Sequence, residues 1–322
     1  MEKIYRRGAI ALACTLLLTI QVSAARTLVP GGQVIGIELS DGCVTVAAFD
    51  DVLGAASRAA GLRVGDQILA VDDHAVDSAQ DIRHALERSD GTVELQLERG
   101  GREMEITVCP RVTEQGPRLG VYLRQGITGV GTVTWYDPDS GTFGALGHGV
   151  NTANGDLLPM RQGSVYKASV AGVQKGQAGA PGQLAGELES KTPVGVLSKN
   201  TAQGIFGTVQ QGWPGEALPV GSAEEVRPGG ATIRSTVCCG QVREYSVEIL
   251  KIYPNAAATV RNMLLRVTDP ALLEATGGIV QGMSGSPIIQ DGKLVGAVTH
   301  VLVNDPTTGY GIFIENMLDA AA

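Results

Sequence analysis

The sequence predicts a mainly β protein with two domains, a small α/β domain followed by a larger domain of β-barrels. Glycine accounts for 44 of the 322 residues, and aromatic residues account for only 4%. The apolar residues are mostly Val, Ile, Leu and Ala, interrupted by glycine every few positions, and this pattern is typical of short strands joined by tight turns. A chain of this length also exceeds the usual size of a single domain.

Residues 1–25 predict an export signal, either a signal peptide or a membrane anchor. Basic residues precede an uncharged run from Gly8 to Ile20, and small residues follow this run up to Ala25. Signal peptidase accepts small residues at such a site. The run is short for a transmembrane helix, which needs about 18 to 20 apolar residues. We therefore expect export, with removal of the segment favoured over its retention.

Composition also limits the partners of the chain. The formal net charge is −8 and no basic cluster follows the N-terminus. The sequence therefore lacks the clustered basic residues expected of a nucleic-acid-binding protein. Beyond residue 25 the cysteines are Cys43, Cys109, Cys238 and Cys239, and none has the spacing of metal ligands. We expect buried thiols, with a Cys43–Cys109 disulfide as the alternative.

Residues 28–112 predict the small α/β domain. A tight turn leads into an apolar strand within Gly61–Asp72, Ser78 caps a helix, and a Gly100-Gly101 turn joins two alternating strands. This order, together with the Gly-Leu-x-x-Gly-Asp-x-Ile-Leu core, closely resembles a PDZ domain.

The PDZ resemblance implies a peptide-binding site. In PDZ domains a glycine-bearing loop ahead of an edge strand binds a peptide carboxylate through its amides, and the peptide adds a strand to the sheet. The matching residues in this chain are Gly31, Gly32, Val34, Ile35, Gly36 and Ile37. The alternative is that these glycines form only a turn.

Residues 118–322 predict the larger domain, after a polar linker at 110–117. Short strand-like segments with glycine-rich turns recur along this region. They predict a barrel or a sandwich, and a pair of barrels of roughly six strands each accounts for their number. The less patterned stretch at 151–183 is interpreted as a loop wall or lid.

The segment Gly282-Met283-Ser284-Gly285-Ser286-Pro287 presents a serine as trypsin-like proteases do. A serine nucleophile needs a base, a group that orients the base, and amide donors for the oxyanion. Because Gly282 and Gly285 have no side chain, the backbone can turn so that the amides of Gly282 and Ser284 face one developing charge. The alternative for Ser284 is a hydrogen-bonded turn residue, since small residues flank serines in many loops.

Two histidines of the larger domain, His148 and His300, are candidates for the base. His148 lies in a Gly-Ala-Leu-Gly-His-Gly turn, where glycines on both sides leave the ring open to a cleft. His300 lies on the strand after the serine loop, and alternation puts it on the face shared with Val298, as expected of a core or rim residue. We therefore favour His148 and keep His300 as the alternative.

Asp269 is the candidate for the group that orients the histidine. It ends an apolar strand, precedes Pro270 and stands fifteen positions before Ser284, whereas most other acidic residues of this region lie in polar surroundings. A carboxylate beside the histidine would favour the imidazolium formed during proton transfer. The alternative is that Asp269 caps the helix that begins at Pro270.

Taken together, these motifs resemble the stage IV sporulation protein B family of serine peptidases. The resemblance rests on the N-terminal segment, the PDZ-like domain and the sequences around His148, Asp269 and Ser284. It implies a PDZ domain followed by a trypsin-like double β-barrel peptidase domain. In that domain Ser284 would be the nucleophile, His148 the general base and Asp269 the orienting residue, in a mechanism that needs no cofactor.

The family resemblance also implies a biological role. Such a protein is an exported endopeptidase that acts between the two membranes around the developing spore. There it cleaves a membrane-bound regulator and so releases an intramembrane protease that processes a sporulation sigma factor, and family members also cleave themselves. The opposing hypothesis is an exported adaptor whose PDZ domain binds protein C-termini beside a catalytically inactive second domain.

Overall fold

The structure is a computed structural model, and it describes residues 26–152, 154–237, 240–254 and 260–322. The predicted export signal at residues 1–25 and the adjacent pair Cys238 and Cys239 lie outside the described residues. Cys43 and Cys109 are free thiols, so the alternative disulfide is not formed, and Cys109 is exposed rather than buried as expected. Within the described ranges, no helix has the length and apolar character needed to cross a membrane.

The mainly β prediction is confirmed, with 53% of the residues in strands and 10% in helices. The first strands are β1 (Thr27–Pro30), β2 (Val34–Phe49), β3 (Gln67–Val71), β4 (His74–Ala75), β5 (Val93–Arg99), β6 (Arg102–Val108), β7 (Arg111–Thr113), β8 (Gly116–Arg118), β9 (Val121–Tyr136), β10 (Thr142–Ala145) and β11 (Gln162–Gln174). The later strands are β12 (Gln183–Leu188), β13 (Gly195–Thr201), β14 (Gly204–Val209), β15 (Leu218–Pro219), β16 (Gly229–Thr236), β17 (Val242–Ile252), β18 (Met263–Val267), β19 (Pro287–Gln290), β20 (Lys293–Leu302) and β21 (Asp305–Phe313). The helices are α1 (Ala55–Ala59), α2 (Ala79–Arg88), α3 (Pro270–Thr276) and α4 (Ile314–Ala321).

The larger domain consists of two closed β-barrels, as predicted. In the first barrel the strand order is β9-β10-β14-β13-β11-β2, and β2 closes the ring by pairing with β9. In the second barrel the order is β16-β17-β18-β21-β20-β19. Each barrel has its own buried apolar core, which includes Phe143 and Ile205 in the first barrel and Ile233 and Leu265 in the second.

The small domain packs helix α2 against a sheet of β3, β5, β6 and parts of β2 and β9. Its helix begins as predicted, because the Ser78 side chain accepts a hydrogen bond from the amide of Asp81. Ile82 and Leu86 on the buried face of this helix join the core formed with Leu95 and Leu97. This arrangement agrees with the predicted PDZ-like order of strand, capped helix and hairpin.

The two domains share strands, which the predicted boundaries at 112 and 118 did not anticipate. β2 and β9 are each 16 residues long and pair from Val34 with Thr132 to Phe49 with Val121. The first part of β2 therefore lies in the first barrel, although residues 28–112 were assigned to the small domain. Conversely, the first residues of β9 belong to the sheet of the small domain.

Candidate active site

Ser284 lies in a tight turn between α3 and β19, on the second barrel. Gly282 and Gly285 on either side have φ values of +97° and +96°, a conformation that residues with a side chain rarely adopt. At Gly285 a methyl group would also overlap the carbonyl oxygen of Thr132. The predicted need for glycine at this turn therefore has a structural basis, both in backbone conformation and in close packing against the first barrel.

The backbone amides of Gly282 and Ser284 belong to residues that line one cavity. The carbonyl of Gln281 accepts a hydrogen bond from the amide of Leu184 at 2.8 Å, and the carbonyl of Met283 accepts one from Ser286 at 2.9 Å. In a trans peptide the next N–H points away from the carbonyl, so the amide of Gly282 points away from Leu184 and the amide of Ser284 points away from the amide of Ser286. Neither amide donates to any acceptor within the described residues, as the predicted oxyanion site requires.

His148 reaches the same cavity from the first barrel. It follows β10 in a turn where Leu146 and Gly147 both have positive φ, 70° and 69°, and its Nδ1 lies 2.9 Å from the carbonyl oxygen of Gly149. A cavity of about 320 Å³ is lined by His148, Gly282 and Ser284 together with mainly apolar side chains. The structure thus brings the predicted base, nucleophile and oxyanion amides to one place.

The hydroxyl of Ser284 does not hydrogen-bond to His148 in this structure. It donates instead to the carbonyl oxygen of Thr299 at 2.8 Å. Catalytic hydrogen bonds are often long or absent in a resting enzyme and form only with substrate. In this arrangement the hydroxyl would have to leave Thr299 before a base could deprotonate it.

His300 lies directly beside His148, with ring centroids 5.2 Å apart and planes at 40°. Burial, together with the nearby positive charges of protonated His148 and of Arg261, lowers the pKa of His300 to about 4. Its Nδ1 is buried without a hydrogen-bond partner among the described residues. His300 is therefore a neutral neighbour of His148 at the rim of the site.

Asp269 is not brought to the histidine, which corrects its predicted role as the orienting residue. One carboxylate oxygen accepts hydrogen bonds from the amides of Ala271 and Leu272, and the other accepts one from Ser246. The alternative interpretation, a cap for the helix beginning at Pro270, is what this structure contains. The strand-end position of Asp269 fitted both roles, and the three amide donors hold the carboxylate at the helix.

The predicted peptide-binding stretch from Gly31 to Ile37 also needs correction. The amides of Gly31 and Gly32 already donate to the carbonyls of Thr134 and Val133. From Val34 to Ile37 the strand β2 pairs with β9, and its other edge pairs with β11 along most of this stretch. Because both edges are occupied, Gly31, Gly32, Val34, Ile35, Gly36 and Ile37 have no free edge at which a peptide could add.

A groove of the expected kind lies elsewhere, between helix α2 and the start of β9. A cavity of about 610 Å³ is lined by Ile82, Arg83 and Leu86 of the helix and by residues 118–123 opposite them. This part of β9 pairs with β2 on one edge, and the cavity lies between β9 and the helix. The signal that could have indicated it is Arg118-Leu119-Gly120-Val121, a glycine-bearing loop ahead of a strand, which followed the predicted linker.

The loop ahead of this groove has free amides. The carbonyl of Leu119 accepts a hydrogen bond from the Ser57 hydroxyl at 2.6 Å, and the carbonyl of Gly120 accepts one from the amide of Asp50 at 2.9 Å. Gly120 has a φ of +66°, and in the described part of the chain the amides of Leu119 and Gly120 have no acceptor. Such successive free amides form an anion-binding concavity.

Two family models and a curated relative match parts of the chain. The family model described as SpoIVB peptidase S55 matches residues 115–318, more than half of the chain, and a PDZ domain model matches residues 34–109. A protein of Agrobacterium fabrum described as a zinc metalloprotease is 33% identical over 89 residues, which are 27% of this chain and 22% of that protein. The chain thus spans about a fifth of the length of the curated relatives it matches.

Two solved structures are similar in part. The Rv3671c protease of M. tuberculosis, in its inactive form, is 15% identical with a TM-score of 0.35, and the match covers 60% of this chain and 84% of that chain. The PDZ domain of an SdrC-like protein from Listeria monocytogenes is 22% identical with a TM-score of 0.23, covering 27% of this chain and 92% of that chain.

The cap at Asp269 generates a prediction about stability. We expect Asp269→Ala to lower the free energy of unfolding by about 1 kcal/mol, because it removes a helix cap. Asp269→Asn should lower it by less, since the asparagine oxygen keeps the cap and only the hydrogen bond from Ser246 is lost. Denaturant unfolding of both variants measures the difference. Equal losses for the two substitutions would contradict the capping role.

The same pair of variants tests the orienting role, because Asn keeps the cap but carries no charge. From the observed geometry we expect the kcat of Asp269→Asn to remain near that of the unsubstituted protein. A loss of several orders of magnitude in kcat at unchanged stability would show that the carboxylate reaches His148 in the working enzyme.

Proposed function

Because the chain belongs to the SpoIVB peptidase S55 family, we propose that it is a serine endopeptidase in which Ser284 is the nucleophile and His148 the general base. The observation that carries the proposal is the pair of free, oriented amides at Gly282 and Ser284 in a cavity shared with His148. Amides that are fixed before the reaction stabilise the developing oxyanion without reorganisation, and this is usually the largest single contribution to catalysis.

In the proposed reaction the Ser284 hydroxyl rotates away from Thr299 and attacks the carbonyl carbon of a peptide bond. His148, held through Nδ1 by the carbonyl of Gly149, accepts the hydroxyl proton at Nε2. The carbonyl electrons move to the oxygen, which the amides of Gly282 and Ser284 bind. Collapse of the intermediate expels the amine, which takes the proton from His148, and water then releases the acyl group by the same steps.

For the biological role, we propose an exported endopeptidase of sporulation. It would act in the space between the two membranes around the forespore and cleave a membrane-bound regulator. That cleavage would activate an intramembrane protease that processes a sporulation sigma factor, and the enzyme would also cleave itself. Family membership supports this role, and the protein would be membrane-associated if its N-terminal segment is retained.

The groove between α2 and β9 is proposed to bind the C-terminal tails of protein partners. Its free amides at Leu119 and Gly120 suit a terminal carboxylate, and Arg83 and Arg118 line the same cavity. Asp50 and Glu114 also line it, but the Asp50 carboxylate already accepts hydrogen bonds from two backbone amides. A peptide lying along the first residues of β9 would extend the sheet of the small domain.

The proposed nucleophile is tested by Ser284→Ala and by an activity-based phosphonate probe. We expect the substitution to abolish peptide cleavage by a factor of about 10⁴ or more while leaving the fold intact. The unsubstituted protein should be labelled at Ser284, as detected by mass spectrometry of its peptides. Absence of labelling in folded protein would favour the catalytically inactive adaptor instead.

The identity of the base follows from the same assay. His148→Ala should suppress phosphonate labelling at neutral pH, and His300→Ala should leave it largely intact. The reverse result would show that His300, and not His148, is the base.

The pH dependence of the reaction follows from the environment of His148. Burial lowers the pKa of His148 below its ordinary value of 6.5, and the hydrogen bond to Gly149 offsets part of this effect. Since a lowered pKa keeps the imidazole neutral at lower pH, the acidic limb of the kcat/KM profile should have its midpoint below 6.5. A profile measured between about pH 4 and 8 checks this, and a midpoint above the ordinary value would contradict it.

Peptide binding at the groove is tested by reversing one charge. Arg83→Glu should weaken binding of a peptide with a free C-terminal carboxylate by about two- to fivefold, the range of an exposed ion pair, and should hardly affect the amidated peptide. The control is Arg88→Glu on the same helix, outside the cavity. Calorimetry on all three proteins measures the dissociation constants, and equal effects of the two substitutions would contradict the proposed groove.

A further inference from the structure

Thr132, in the part of β9 that lies in the first barrel, contacts the nucleophile loop through two groups and the turn before His148 through a third. Its hydroxyl donates to the carbonyl oxygen of Gly282 at 2.7 Å, and its amide donates to the carbonyl oxygen of Ser284 at 3.0 Å. Its own carbonyl accepts a hydrogen bond from the amide of Leu146 at 3.2 Å. The side chain is fully buried. One residue of the first barrel thus connects the oxyanion loop, the nucleophile and the turn that carries His148.

We propose that the hydroxyl of Thr132 is a positioning group for the oxyanion site, an inference that rests on the proposed serine peptidase function. The hydroxyl is the one donor to the Gly282 carbonyl found among the described residues. Gly282 has a φ of +97°, and a glycine has many conformations open to it. The two peptide units that meet at Gly282 each have one other hydrogen bond, from Leu184 to the Gln281 carbonyl and from Met283 to the Val280 carbonyl. Without the hydroxyl, the Gly282 carbonyl would have no donor among the described residues, and the glycine torsions between these two peptide units would be less constrained.

The hydrogen bond of the Thr132 hydroxyl can be removed by substitution without removing the other two hydrogen bonds of this residue. The hydrogen bonds to Ser284 and from Leu146 involve the backbone of Thr132, so they survive a change of side chain. Removing the hydroxyl therefore leaves the serine and histidine loops attached to β9 and alters only the contact to Gly282. The Gly282 amide would bind the oxygen that becomes negative in the transition state. We therefore expect the substitution to lower kcat rather than to weaken substrate binding.

The chain offers a matched control two positions along the same strand. Thr134 is also fully buried, and its hydroxyl has no hydrogen-bond partner in the part of the chain that the structure describes. Thr134→Val makes the same chemical change as Thr132→Val, on the same strand and at the same degree of burial. It removes no contact to the nucleophile loop.

The experiment compares the steady-state kinetics of Thr132→Val, Thr132→Ser and Thr134→Val on one peptide substrate. We expect Thr132→Val to lower kcat by about 10- to 100-fold, less than deletion of an oxyanion donor, with KM changed by less than about twofold. Thr132→Ser, which keeps the hydroxyl, should retain most of kcat. Thr134→Val should match the unsubstituted protein.

A second measurement separates positioning from a merely structural role. A peptide aldehyde forms a hemiacetal with the serine, and the hemiacetal oxygen occupies the oxyanion site. Its inhibition constant should therefore rise for Thr132→Val in parallel with the loss of kcat. If Thr132→Val does not fold, the pair Thr132→Ser and Thr132→Ala repeats the comparison, since these two differ only in the hydroxyl.

The outcomes distinguish this inference from the proposed function. A fully active Thr132→Val, or a loss equal to that of Thr134→Val, would overturn the positioning role while leaving the peptidase in place. An unsubstituted protein that neither cleaves peptides nor reacts with a phosphonate would overturn both. A loss of kcat without a parallel loss of aldehyde affinity would also overturn the positioning role.

Discussion

The pairing of β2 with β9 is the constraint on which the rest of the structure depends. The two strands pair across both domains, from Val34 opposite Thr132 to Phe49 opposite Val121. At one end, β9 forms a wall of the groove that faces α2. At the other end, it holds the nucleophile loop through Thr132. The register of this pairing shifts between Leu39 and Val44 and between Val46 and Ala48, and one pair of strands nevertheless connects the groove to the candidate active site.

The candidate active site forms where the two barrels meet. His148 comes from the first barrel and Ser284 from the second, and the turn before His148 packs against the second barrel at Thr299 and Ile312. Leu146 in that turn has a φ of 70°, a conformation that costs roughly 1–2 kcal/mol for a residue with a side chain. The side chain of Leu146 is buried in the core of the first barrel, which offsets this cost and keeps the histidine at the interface.

The sequence predicted local features better than pairing partners. Glycines at 282 and 285, the cap at Ser78 and the short alternating strands all depend on neighbours in the chain, so the pattern contains the information. The stretch from Gly31 to Ile37 has the same alternation whether its edges are free or paired, and only the fold decides that β9 and β11 cover them. Likewise, Asp269 at a strand end suits a helix cap or a group that orients the histidine equally, and three amide donors from Ser246, Ala271 and Leu272 determine which is formed.

The hydrogen bonds around Ser284 have a physical consequence for the proposed reaction. The carbonyls of Gln281 and Met283 accept hydrogen bonds from Leu184 and Ser286, which hold the peptide units that carry the amides of Gly282 and Ser284. The hydroxyl of Ser284 donates to the carbonyl oxygen of Thr299, and a hydrogen bond of this kind has a net stabilisation of about 1 kcal/mol. Because staggered rotamers of serine interconvert by rotation about one torsion, release of the hydroxyl from Thr299 needs no movement of the backbone.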